Sequence, residues 1–152
     1  MFVLIYLLVG HRSNDSWRSL AQTSDWSRLR SLALCVPKDS HFLPWVIDIL
    51  ESAYGPTLRE VALVLGPVSS IAATAKQLSS AGDVYNKLEL ALLRFPKATI
   101  TWVAENPIRP GRTAFWTREL GRYFPILSER GALALTSEAG IRIGLLFLLD
   151  EC

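Results

Sequence analysis

The chain has 152 residues, half of them hydrophobic and 20% charged. That suits one domain burying roughly 70% of its unfolded surface, and it excludes a disordered or tail-like protein. Sixteen lysines and arginines against fourteen acidic residues leave a net +2, far short of a dedicated nucleic-acid binder.

The N-terminus opens on an unbroken apolar run from Met1 to Val9, shorter than the ~20 residues a membrane-spanning helix needs. A signal peptide is the rival reading, since its apolar region runs only ~7–15 residues. It would want a basic start, where Phe2 stands, and small residues at a cleavage site, where His11, Arg12 and Asn14 stand. The β-branched and aromatic content therefore predicts a buried strand from Phe2 to Val9. Asn14-Asp15-Ser16 forms a glycosylation sequon that matters only in a secreted chain. Trp17 to Ala21 reads as a short helix.

Leu29-Arg30-Ser31-Leu32-Ala33-Leu34 and Leu58-Arg59-Glu60-Val61-Ala62-Leu63 share the phrase L-R-x-[LV]-A-L, a period-two alternation that predicts strands near 29–35 and 58–65. Between them, Pro44 and Trp45 open a helix over 43–53 that stops at Gly55-Pro56. Ile71 to Ser80 is rich in alanine and serine and reads equally as helix or loop. Lys87 to Leu93 predicts a helix over 86–94 ending before Pro96. Thr99-Ile100-Thr101-Trp102-Val103 predicts a strand near 98–104. Thr113 is positioned to cap a helix over 113–123 that Pro125 closes. Ala132 to Thr136 predicts a strand near 132–136. The terminal Leu145 to Leu149 is a last strand or an apolar tail, too short to span a bilayer. Cys152 ends the chain with no prenylation pattern.

Strands alternating with helices imply parallel strands joined by helical crossovers. Taking Leu32, Val61, Ile100 and Leu133 as equivalent positions gives steps of 29, 39 and 33 residues, in the range of repeat architectures. The alternate row is small and mild: Ser31, Ala33 and Cys35, then Glu60, Ala62 and Val64, then Thr99, Thr101 and Val103, then Ala132, Ala134 and Thr136. A doubly wound sheet would be apolar on both faces. The expected fold is therefore an α/β domain over 1–152, an irregular leucine-rich-repeat-like solenoid of parallel strands with helices on one face. Its repeat core spans 17–138, flanked by apolar terminal segments at 1–10 and 141–152.

Three phrases carry a resemblance: Trp26 to Leu34, Tyr54 to Val61 and Phe124 to Leu133. Over roughly Trp17 to Glu138 the chain resembles the leucine-rich-repeat region of fungal F-box-like proteins. The resemblance implies a curved α/β solenoid that recruits a target protein. It does not carry over attachment to a ubiquitin-ligase adaptor, because no F-box-like segment precedes Trp17. The asparagine that closes regular leucine-rich repeats is also missing after Leu34 and Leu63, and the repeat lengths vary.

Catalytic patterns are sparse. Ser40 and His41 follow Asp39 and suggest a small hydrolase, but neighbouring side chains diverge, whereas catalytic triads assemble from distant parts of a chain. A polar loop capping the next helix is the simpler reading. No P-loop, G-x-S-x-G, H-E-x-x-H or dinucleotide fingerprint occurs. Cys35 needs a basic partner to be nucleophilic, and none can be assigned from the sequence; packing among small residues is the simpler role. Cys35 and Cys152 are too few for a disulfide framework or a zinc site, so no cofactor or metal is expected.

The segment 94–130 carries seven basic and three acidic residues, with Trp102, Phe115, Trp116, Tyr123 and Phe124 interleaved. Arg109, Arg112, Arg118 and Arg122 could grip phosphates while rings stack on bases. The simpler reading places Phe115, Trp116 and Tyr123 in the core and the arginines on a solvated helix. The first expectation for function is a non-catalytic protein-interaction module in the cytoplasm or nucleus. Its contact row is Ser31, Glu60, Thr99 and Thr101, because solenoids bind on their open strand surface; its protein target is unknown.

Overall fold

The computed structural model describes residues 2–6, 29–36, 43–53, 55–68, 70–80 and 82–137, with the side chains of 2–6, 67 and 80 left aside. The elements run β1 (Phe2–Tyr6), β2 (Ser31–Val36), α1 (Leu43–Ala53), β3 (Glu60–Val68), α2 (Ile71–Ser80), α3 (Gly82–Leu93), β4 (Lys97–Ala104), α4 (Thr113–Gly121), α5 (Pro125–Glu129) and β5 (Leu133–Ser137). The five strands form one sheet in the order β1-β2-β3-β4-β5, and all four pairings are parallel. The expected α/β class with parallel strands is therefore observed. The sheet is not curled.

Strand order equal to chain order has a geometric consequence. Crossovers between parallel strands are almost always right-handed, so a sheet that grows in one direction keeps its helices on one face. The burial pattern agrees. Leu32, Leu34 and Val36, then Val61, Leu63 and Leu65, then Ile100 and Trp102, then Leu135 all join one core cluster. Their alternate neighbours Ser31, Cys35, Ala62, Val64, Thr99 and Thr101 are half-buried and lie outside that cluster.

Each helix contributes an apolar stripe. In α1, Leu43, Val46, Ile49, Leu50 and Ala53 are buried, the i, i+3, i+7 spacing of a helix face, and Gly55-Pro56 ends it as expected. The ambiguous segment 71–80 is a helix. Ser70 caps it, its hydroxyl accepting from the Ala73 amide at 3.2 Å. In α3, Tyr85, Leu88, Ala91 and Leu92 are buried, and α3 packs against α1.

Two details of the α4 region differ from expectation. Thr113 does not cap α4. Arg112 occupies that position without a side-chain cap bond, and the Thr113 carbonyl instead accepts the Thr117 hydroxyl at 2.9 Å. Pro125 does stop the preceding helix, yet it also starts α5, at the first-turn position where its missing N–H costs nothing.

The short α5 is held by a buried glutamate side chain. Glu89 is 4% exposed, and its Oε1 accepts the Leu127 amide at 2.9 Å. A side-chain oxygen from α3 thus satisfies a first-turn donor of α5.

Burial also acts on Tyr85, whose hydroxyl is pushed up from 10.0 to about 12. A raised folded-state value means that the stabilisation it carries is complete below pH 10 and is lost as pH rises through about 12, because the unfolded tyrosine ionises first. Phenolate absorbance of the folded chain should accordingly contain a late component above pH 11 that the Tyr85→Phe variant lacks. If the component lost in the variant instead titrates near pH 10, the tyrosine is not desolvated.

Candidate functional site

The register assembles the face opposite the helices. Ser31 pairs with Glu60 and Glu60 with Lys97. Ala33 lies beside Ala62 and Ala62 beside Thr99, and Cys35, Val64, Thr101 and Ala134 form the next row. Ser31, Glu60, Thr99 and Thr101 therefore share one face, as expected, but they do not form one row. The equivalence of Val61 with Ile100 is corrected: Val61 pairs with Ala98, and Ile100 pairs with Leu63 and Leu133. The step from β3 to β4 is 37 residues, seen also in the Glu60–Lys97 separation. The two-residue error preserved the face, because side chains alternate with period two, but it hid Lys97.

Lys97 changes the chemistry of the first row. Its Nζ donates to Glu60 Oε1 at 2.9 Å, and the Ser31 hydroxyl donates to Oε2 at 3.4 Å. These contacts, the lysine's first, hold the Glu60 carboxyl below its usual value. The pair is well exposed, with side-chain accessibilities of 68% and 49%, so it is worth about 0.2–1 kcal/mol to stability. Its effect is to place a fixed polar strip beside an otherwise mild surface.

An open cleft of about 590 Å³ adjoins this strip, lined by Arg30, Ser31, Pro56, Thr57, Arg59 and Glu60. It lies where β2 and β3 begin. The Arg30 carbonyl accepts both the Arg59 and Glu60 amides, at 2.9 and 3.1 Å, and the Arg59 carbonyl accepts the Lys97 amide at 3.0 Å. Ligands of open α/β sheets usually sit at the carboxyl ends of the strands, where the strand order reverses. Here the order never reverses and the cleft is at the amino ends.

Cys35 is a half-buried free thiol, and burial pushes its pKa up, which keeps it protonated and a poor nucleophile at neutral pH. Ser40, His41 and Cys152 fall outside the described residues, as do the expected helix at 17–21 and the terminal run 145–149. Among the described residues no three histidine, cysteine or acidic side chains cluster as metal ligands. Among them, no helix is long and apolar enough to cross a membrane.

Arg109, Arg112, Arg118 and Arg122 are all exposed. Arg122 pairs with Glu119 at 3.2 Å, and the guanidinium carbons of Arg112 and Arg118 each lie 5.7 Å from the centre of the Phe115 ring. Trp116 and Tyr123 pack against the core, and the Tyr123 hydroxyl donates to the Ala75 carbonyl at 3.1 Å. Phe115 departs from the expected core position: it is half-buried outside the core cluster and meets Trp116 edge-on at 5.0 Å. Cation–π contacts to two arginines account for an outward aromatic ring. The chain matches no protein-family model, and no curated protein or solved structure is significantly similar to it.

Proposed function

We propose that this chain is a non-catalytic protein-interaction module, a short irregular solenoid of the leucine-rich-repeat type that contacts its target through the open strand face. One observation carries the reading. Rows of small side chains, Ala33, Ala62 and Thr99 and then Cys35, Val64 and Thr101, run across three strands on the face that does not join the helical core. Small residues let another backbone approach closely, and the Ser31–Glu60–Lys97 strip supplies directional polar contacts at the margin. Among the described residues the cysteine on that face, Cys35, is held protonated by burial. The cytoplasm or nucleus is the proposed compartment.

The decisive experiment is affinity capture with the full chain and with an Ala62→Arg/Thr99→Arg variant, whose bulky charges would block the face. A partner retained in stoichiometric amount by the wild type and lost by an equally stable variant supports the reading. Equal retention by both proteins, or no retained partner, overturns it. A second reading, nucleic-acid binding, draws on Arg112, Phe115 and Arg118 and predicts single-stranded RNA binding that weakens steeply with salt.

A further inference from the structure

We propose that the cleft at the start of β2 and β3 is a binding site for a phosphate group, gripped by the paired guanidinium groups of Arg30 and Arg59. The two arginines directly precede the paired residues Ser31 and Glu60, and their main chains are joined by the Arg59–Arg30 bond of 2.9 Å. Neighbouring strands lie about 4.8 Å apart, and both arginines line the same concavity. Among the described residues neither arginine forms an ion pair. Among the described residues lining the cleft, the only acid, Glu60, is already engaged by Lys97 and Ser31. Among the described residues the lining thus holds two cations that no carboxylate pairs.

Like charges held together repel, and a dianion between them removes that repulsion. Each planar guanidinium can offer two parallel N–H donors to a phosphate. Pro56, with its fixed φ, lies in the cleft wall. The volume of about 590 Å³ is within the range of small-molecule sites and exceeds what a bare phosphate fills. The phosphate therefore arrives as an ester, on a small metabolite or on a side chain of a protein. The role this assigns to the cleft is recognition of that ester.

The inference stands apart from the reading of the open face, since inorganic phosphate needs no partner protein. The test is a titration of the full chain with inorganic phosphate, followed by NMR of backbone amides and arginine side chains, against chloride at equal ionic strength. Saturable shifts confined to residues 30–31 and 56–60 are expected. Arg30→Gln and Arg59→Gln should each weaken binding at least tenfold, and the double variant should abolish it. An Arg30→Lys/Arg59→Lys variant keeps both charges and guards against loss of the fold. It should bind more weakly than wild type but remain saturable, because the planar forks are gone.

A phosphoserine peptide and a sugar phosphate should each displace inorganic phosphate from the same resonances. The tighter of the two identifies the source. Shifts that rise linearly without saturation, that spread over the other arginines, or that persist in the double glutamine variant overturn the proposal. So does the failure of both esters to compete.

Discussion

Replacing Phe124 by alanine should lower the unfolding free energy by about 4 kcal/mol, near the top of the range for truncating a buried aromatic side chain. Phe124 has no exposed surface and stands where α4 gives way to α5. Its ring meets Tyr85 edge-on at 5.7 Å and Trp102 at 6.4 Å with a 55° tilt. It therefore ties together α3, β4 and the α4–α5 junction, and the rings around it cannot collapse into the space without leaving their own contacts. Its backbone matters as well, since the Phe124 carbonyl accepts the Ser128 amide at 2.8 Å to close the first turn of α5. Domains of this size are stable by only about 5–15 kcal/mol, so the variant should sit close to the threshold of folding. Its melting temperature should fall by about 8–16 °C. Phe124→Leu, which keeps most of the volume, should cost no more than about 1.5 kcal/mol. Urea unfolding followed by tryptophan fluorescence measures both. A loss below 1 kcal/mol for the alanine variant would show that the aromatic cluster is not part of the cooperative core.

The parts of this fold that could be read from sequence are those governed by local periodicity. The repeated L-R-x-[LV]-A-L phrase located β2 and β3 to within a few residues and assigned their faces, because alternation alone distinguishes Leu32, Leu34 and Val61 from Ser31, Ala33 and Glu60. The helix over 43–53 was legible from Pro44, the apolar stripe and Gly55-Pro56 together. Register across strands was not. Lys97 belongs beside Glu60, but β4 lacks the phrase that marks the other two starts, so nothing local fixed the offset. Glu89 was hidden for the same reason. A charged residue in an amphipathic helix reads as solvent-facing, and its partner, the Leu127 amide, is 38 residues away. The arginines of the cleft were visible only as the second letter of a repeat. Their juxtaposition, and hence their chemistry, exists only once β2 and β3 are paired. Phe115 was misplaced because aromatic residues are usually assigned inward, whereas two flanking arginines supply an alternative to burial. The cap of α2 could have been found: Ser70 immediately precedes a run of good helix formers.

Substituting alanine for Gly66 should destabilise the protein by about 3 kcal/mol, by a mechanism unrelated to lost core volume. Gly66 has φ of +132°, a conformation in which only glycine is free of steric strain. It sits where the pairing of β3 with β4 shifts. Leu65 is opposite Trp102, whereas Val68 is opposite Ala104, so β3 carries one extra residue over that interval. The bulge has a consequence for packing: without it Val68 would be a step out of phase, whereas with it Val68 is 5% exposed opposite Ala104 on the face that Trp102 shares. A side chain at Gly66 is obstructed as well as strained, since a Cβ there would lie 2.6 Å from the Val103 carbonyl oxygen and 3.1 Å from Val103 Cβ. Neither obstacle is the flexible end of a side chain, so relief requires moving the β3–β4 pair apart. Gly111 separates the two effects. Its φ of +78° is also unfavourable for other residues, but nothing lies within 4 Å of its added Cβ, so Gly111→Ala should cost only about 1 kcal/mol. Thermal melts of the two variants, with amide exchange at Val103 and Ala104 as a local readout, test the distinction. Faster exchange there in Gly66→Ala, and no change there in Gly111→Ala, is the expected outcome. Equal costs for the two substitutions would mean that backbone strain alone sets the effect and that the bulge can widen without penalty.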